Sequence, residues 1–252
     1  MKNILILLSL ICLCSCASKK NITYFQDSDN LPSVQIDSIY HHPKIQINDV
    51  LKIDLTALEP SSLIPFQFDK LPTSGMTQIE LLKLQGYLVN KDGAINYPGL
   101  GAVMVKGKTT QEVQSILKKE IGEFVKDVEV KVRLVNFKFS VLGEVKMPGT
   151  YTVAEETVTL LQAISMAGDL TIQGERNNIL VIRHNNGVIT SKRINFTNTD
   201  WMNSDYYYLQ QNDMVYVEPN SAKVKSSGFI GNVGSVVSVI SILLTTAVLI
   251  FR

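Results

Sequence analysis

Cysteine is nearly absent from this chain: three stand at Cys12, Cys14 and Cys16, and none follows over the rest of the 252 residues. A disulfide framework is therefore excluded for everything beyond residue 16. Excess charge of either sign is missing too, since 24 Lys+Arg against 23 Asp+Glu leave a formal net charge of +1. Binding to nucleic acid through bulk electrostatics is excluded on that ground. Charged residues make up 19% of the chain and apolar ones 45%, an apolar share that rules out disorder over most of the length. Histidine is limited to His41, His42 and His184, which read as surface or packing residues rather than catalytic ones. The carboxylates that could pair for glycoside hydrolysis, Glu155-Glu156 and Asp127 with Glu129, fall in turns and on solvated strand faces. Gly107-Lys108-Thr109 resembles the end of a phosphate loop, but Ala102 occupies the place of that loop's first glycine, so nucleotide binding is not expected.

What is present is concentrated at the two ends. Lys2 precedes an apolar run of about 11 residues, too short to span a bilayer and long enough for a secretory signal. Leu13-Cys14-Ser15-Cys16 places an aliphatic residue and two small ones before a cysteine, the pattern of a bacterial lipobox. Residues 1–15 thus read as a lipoprotein signal peptide and Cys16 as the lipidated residue; an ordinary signal that happens to contain cysteines is the other reading. Cleavage there removes Lys2 and leaves equal numbers of both charges. Residues 16–43 follow as a polar tether.

At the far end, Phe229 to Phe251 are 23 uncharged residues, about 34 Å of helix. The expectation is a membrane-spanning helix over 229–251 with an amphipathic wheel. Phe229, Val233, Val236, Val237, Ile240, Leu243 and Leu244 share one half, while Asn232, Ser235, Ser238, Ser241 and Thr245 share the other. A lone anchor in lipid has no reason to segregate its hydroxyls. A lumen lined by Asn232, Ser235, Ser238, Ser241 and Thr245, or a packing face between helices, would account for it.

Between the ends the pattern is α+β, with two small domains. Alternation from Ile45 to Leu55, with Asn48-Asp49 as a turn, predicts a first strand pair. Lys91-Asp92-Gly93 predicts a hairpin between Tyr87–Val89 and Ala94–Pro98. Thr109 and Glu112 form a capping box before a helix over Gln111–Ile121. Val128, Val130, Val132 and Leu134 alternate with charge and close a first domain over 44–136. A second, over 137–220, has a Pro148-Gly149 turn, a short helix stopped by Gly168, a hairpin at Asn185-Asn186-Gly187 and a last strand pair over Leu209–Val217. Residues 221–228 read as a linker.

Several phrases carry a family likeness. Ile47-Asn48-Asp49-Val50-Leu51-Lys52-Ile53, Gly93-Ala94-Ile95-Asn96-Tyr97-Pro98-Gly99-Leu100-Gly101 and Val105-Lys106-Gly107-Lys108-Thr109 resemble the outer-membrane polysaccharide export (Wza-like) proteins. Val141-Leu142-Gly143-Glu144-Val145, Pro148-Gly149-Thr150-Tyr151 and Val181-Ile182-Arg183 resemble a soluble-ligand-binding β-grasp (SLBB) domain. The resemblance implies two periplasmic α/β domains and a C-terminal amphipathic transmembrane helix. It further implies an outer-membrane lipoprotein assembled as a ring, commonly an octamer, that passes capsular or exopolysaccharide to the cell surface. An inner-membrane polysaccharide co-polymerase is the implied partner, and no cofactor, metal or enzymatic activity is implied. Two features depart from the family pattern: the chain has room for one β-grasp module, and Asn48 and Asn212 stand where glycine is common. A sugar-binding or scaffolding periplasmic lipoprotein that does not transport is the alternative. Trp201 and Tyr206-Tyr207-Tyr208 read as structural aromatics in preference to sugar-stacking ones.

Overall fold

The computed structural model describes residues 19–30, 40, 42–67, 85–185, 187–227 and 233–250. Cys16, Asn232 and His41 lie outside the described residues, as do Phe229, Ile230 and Phe251.

The first unit is a three-stranded antiparallel sheet in the order β2-β1-β5, from β1 (Val50–Thr56), β2 (Tyr87–Leu88) and β5 (Glu129–Leu134), with a separate hairpin of β3 (Ala94–Tyr97) and β4 (Gly101–Met104). Helix α1 (Thr110–Gly122) begins at the expected capping box: Glu112 N–H donates to Thr109 Oγ1 and Thr109 N–H to Glu112 Oε2. Val113, Leu117 and Ile121, spaced four apart, are its buried stripe. Strand β5 alternates exposed and buried residues as its sequence alternates charge and Val/Leu. It is an edge strand, and Gln114 of α1 covers it by accepting the Val132 N–H at 2.9 Å.

Two local expectations are corrected here. Ile45–Asp49 does not pair with β1; Ile45 is buried and bonds through its backbone to Gly107 and Lys108. Asp92-Gly93 does form a turn, closed by Gly93 N–H to Asn90 O at 3.0 Å, but the strands beside it part company. β2 pairs with β1 while β3 pairs with β4, because β1 offers a longer apolar partner than a two-residue strand can find locally.

The second unit is a five-stranded sheet, β7-β6-β10-β8-β9, made from β6 (Phe137–Gly143), β7 (Gly149–Val153), β8 (Gly174–Asn185), β9 (Val188–Ile194) and β10 (Met214–Pro219). Its first and last strands, β6 and β10, are parallel neighbours at the centre, flanked by the antiparallel hairpins β6–β7 and β8–β9. That is the β-grasp arrangement. Helix α2 (Leu160–Met166) has a second capping box, Thr159 with Gln162, and ends at Gly168 with φ +76°. Gly143, where β6 meets β10, is obligatory: a Cβ there would stand 2.0 Å from Val217 O. Leu209–Val217 is not a strand pair. Gln211-Asn212 form a turn and only β10, from Met214 on, enters the sheet.

Both ends differ from the expected tether and linker. The segment around Tyr24 is docked on the second unit: Phe25 N–H donates to Phe196 O at 3.1 Å and Gln26 N–H to Thr197 O at 2.8 Å. Residues Ser221–Ser226 form helix α3, capped by Asn220. Helix α4 then runs from Val233 to Ile250, about 27 Å at 1.5 Å per residue. Among the described residues no helix is long and apolar enough to cross a membrane. The expected span over 229–251 runs beyond the described residues at both ends, and its described part is the 18-residue helix α4.

Candidate functional site: the interdomain junction and the C-terminal helix

The two units meet at two turns of the same build. Before β1, Asn48 adopts φ +69°, Asp49 N–H donates to Gln46 O, and Asp49 Oδ2 accepts the Gln46 N–H at 2.7 Å. Before β10, Asn212 adopts φ +66°, Asp213 N–H donates to Gln210 O, and Asp213 Oδ2 accepts the Gln210 N–H at 2.8 Å. Asparagine tolerates the left-handed conformation, which explains its use in both turns.

The carboxylates of these turns are both buried, and they are compensated differently. Asp213 is gripped by Arg183, whose Nη2 lies 2.8 Å and Nε 3.1 Å away. Burial pushes the Asp213 carboxyl up, and the guanidinium holds it back. Arg183 also donates to Asp205 O and Tyr208 O, and sits 4.6 Å from the Tyr206 ring centroid. Among the described residues no cation is in contact with Asp49. Gln211 Nε2 donates to its Oδ1 at 2.8 Å, and burial raises its pKa to about 6. The same Gln211 amide donates to Asn136 O and accepts the Lys138 N–H. Asn136 in turn accepts the Val50 N–H and donates to Asn48 O. The two bonds donated by Gln211 Nε2, to Asp49 and to Asn136 O, join the units, and the remaining bonds satisfy the seam from within each.

A cleft of about 850 Å³ opens beside the seam, between Ile45–Ile47 with Lys106 on one side and Tyr208–Gln211 with the β8–β9 hairpin on the other. His42 and His184, 142 positions apart, both line it, as do Lys44 and Tyr40. The Tyr40 ring meets His42 and Tyr208 edge-on at 4.9 and 5.5 Å. No local pattern marks this gathering, and only the aromatic and basic types would have drawn attention to it. Trp201 is elsewhere, buried against Phe196 and Tyr207 with its indole N–H on Asn198 O, a structural role as expected.

The carboxylates considered for catalysis are not gathered. Glu129 is held by Lys118 at 2.6 Å and Asp127 occupies a left-handed turn position. Among the described residues no group of three His, Cys, Asp or Glu is placed to hold a metal ion.

Of the expected lumen residues, Ser238, Ser241 and Thr245 are exposed on α4, and Ser235 lies within it. Ser238 Oγ donates to Gly234 O and Thr245 Oγ1 to Ser241 O, both at 2.8 Å; Thr246 Oγ1 donates to Ile242 O. Each of these protons is satisfied inside the helix, leaving hydroxyl lone pairs outward. Val237, Ile240, Ile242 and Leu249 are 50–72% exposed, so these four side chains find no cover among the described residues.

The fold and junction define a two-domain α+β protein, a small sheet unit locked by a glutamine to a β-grasp unit. Residues 40–135 match the family model described as polysaccharide biosynthesis/export protein, and residues 137–217 match that of the SLBB domain. The first unit is thus a domain of the polysaccharide biosynthesis/export family and the second an SLBB domain. Over 104 residues, 40% of the chain, it is 35% identical to the EPS I polysaccharide export outer membrane protein EpsA of Ralstonia nicotianae, covering 27% of that protein. Over 147 residues, 56% of the chain, it is 31% identical to the capsule polysaccharide export outer membrane protein CtrA of Neisseria meningitidis serogroup A, covering 36% of it. The aligned stretches thus span 27–36% of the length of these curated relatives.

Proposed function

We propose that the chain is a non-enzymatic subunit of an outer-membrane channel that carries capsular or exopolysaccharide from the periplasm to the cell surface. In this reading Cys16 carries the lipid, several copies close a ring, commonly eight, and an inner-membrane polysaccharide co-polymerase delivers the polymer. The α4 helices line up as a barrel with Asn232, Ser235, Ser238, Ser241 and Thr245 toward the lumen. The observation that carries the reading is α4 itself: 18 residues without a charge, exposed apolar side chains and self-satisfied hydroxyls. Its described part alone covers about 27 Å, against a typical ~30 Å hydrocarbon core, and the bacterial outer membrane is thinner than average. A closed ring keeps every backbone bond inside its helix and offers uncharged hydroxyls to a hydrated sugar chain, with no fixed charge to trap it.

The test is Ser238→Glu and Ser235→Phe in cells that display the polysaccharide. Loss of surface polysaccharide at unchanged protein level is expected; unchanged display sinks a lumen at these positions. The second reading, a sugar-binding lipoprotein that does not transport, is favoured by the cleft with Tyr40, His42, Lys44, Lys106, His184 and Tyr208. Electron microscopy of the detergent-extracted protein separates the two, because the conduit demands a ring and the alternative is met by a monomer.

A further inference from the structure

One loop of the second unit, Asp169 to Gly174, fastens both ends of the chain. On its N-terminal side Tyr24 Oη donates to Asp169 Oδ1 at 2.7 Å, and the Arg176 guanidinium lies 5.3 Å from the Tyr24 ring centroid. Asp27 Oδ2 adds bonds from Thr199 N–H and Oγ1, both at 3.1 Å. Phe25 is held at φ +49°, a conformation costly for a bulky residue that persists only where tertiary contacts impose it. On the C-terminal side Asn220 N–H donates to Gln173 O at 2.7 Å and Lys223 Nζ to Gln173 Oε1 at 3.2 Å. Lys223 also stands 3.8 Å from Glu144, which accepts from Thr171. The segment leading from Cys16 and the segment leading into α4 therefore leave the protein from one place.

That place has an unusual surface. Ile172 is 64% exposed, Met147 55%, Val224 57% and Met166 37%. Lys146 and Met147 are bonded through their backbones to Asp169 and Ala167, which brings Met147 and Met166 beside the loop. Lys146, Lys223 and Lys225 are exposed among these apolar side chains. Apolar tips interspersed with lysines suit the boundary between headgroups and acyl chains, where the tips enter and the ammonium groups meet phosphate oxygens. Chain lengths agree. Cys16 is eight residues from Tyr24, at most about 28 Å of extended chain, and Val233 is seven from Ser226.

We propose that the face formed by Ile172, Met147, Met166 and Val224 with Lys146, Lys223 and Lys225 rests on the phospholipid headgroups of the membrane that receives both chain ends. The proposal rests on the export reading for the lipid at Cys16 and the membrane location of α4. It adds a third point of contact, which sets the second unit against the bilayer and the first unit away from it.

The test uses the full-length lipoprotein in phosphatidylethanolamine–phosphatidylglycerol vesicles carrying nitroxide-labelled headgroups. Four single-cysteine variants, Ile172→Cys, Met147→Cys, Ile240→Cys and Asp92→Cys, receive an environment-sensitive fluorophore; a lipidated Cys16 takes no label. Loss of about half the fluorescence or more is expected at Ile172 and Met147, with little change at Asp92. A quenched Ile240 with silent Ile172 and Met147 overturns the proposal and leaves the export reading standing. Ile172 and Met147 shielded equally in detergent without any quenching by lipid also overturn it, and assign the face to a neighbouring subunit. Silence at all four overturns the membrane placement of α4 along with it.

Discussion

The turns Gln46–Asp49 and Gln210–Asp213 share a backbone and differ in what surrounds their carboxylates. Each has asparagine in the left-handed region, an aspartate closing onto the N–H three residues back, and a strand that starts immediately after. Even the asparagine N–H groups behave alike, donating at 2.9 Å to Val89 O in one and Lys138 O in the other. The second turn is completed within its own domain by the Arg183 fork. The first is completed by Gln211, which belongs to the second turn. A turn motif that merely starts a strand in one domain is thus used by the other domain as a socket. The cost is a buried carboxylate with a neutral partner, hence the rise of Asp49 to about 6.

The sharpest way to break this comparison is to remove the cation from the turn that has one. Arg183→Met leaves Asp213 buried and unpaired, and a loss of about 3–5 kcal/mol in unfolding free energy is expected from denaturant titration. A second measurement separates the turns by pH. Because Asp49 titrates higher in the folded than in the unfolded chain, its contribution to stability is full below the ordinary carboxylate value near 4. It is lost as pH rises through about 6. Lowering the pH from 7.5 to 5 should stabilise the wild type relative to Asp49→Asn by about 1.4 kcal/mol, read from paired unfolding curves. If the two proteins show the same pH dependence, Asp49 is not the group responsible.

Effects smaller than that of Arg183→Met probe the seam and the turn backbone. Gln211→Ala removes the donor to Asp49 and Asn136 and the acceptor for Lys138, and should cost about 2 kcal/mol. Amide exchange at Lys138 should rise in that variant while exchange at Leu117, in the α1 core, changes least. Asn48→Ala and Asn212→Ala each force an ordinary residue into the left-handed region, for about 1 kcal/mol, whereas glycine at either position should be nearly neutral. Equal effects at the two sites would confirm that the turns share one backbone; unequal effects would show that the socket imposes its own strain.

Much of the fold was legible locally. The Thr109–Glu112 capping box, the Gly168 stop and the alternation of β5 depend on residues within four positions of one another, and each formed as its spacing requires, whereas Pro148-Gly149 lead into β7, with Gly149 already paired to Val141. Strand partnership was less legible. The Asp92-Gly93 turn is sound, but its flanking strands pair elsewhere, because pairing rewards the best apolar partner in space rather than the nearest in sequence. The expected tether hid Tyr24 and Asp27, whose partners Asp169 and Thr199 are 145 and 172 positions away. Of the cleft, His42 and His184 were visible only as isolated residues. The helical period places the α4 hydroxyls on one side by sequence alone, and their facing a lumen belongs to the proposal.

The sequence by itself determined the period of each element, its caps and turns, the two-domain division into α and β, and the uncharged C-terminal segment with its hydroxyls on one side. These follow from backbone sterics and from side chains that interact with their own neighbourhood. Only the tertiary structure decided that Gln211 would satisfy Asp49, that two histidines would face one cleft, and that a single loop would hold both chain ends. Those outcomes depend on which polar groups remain unsatisfied once the strands have packed, a condition that exists only after distant segments have met.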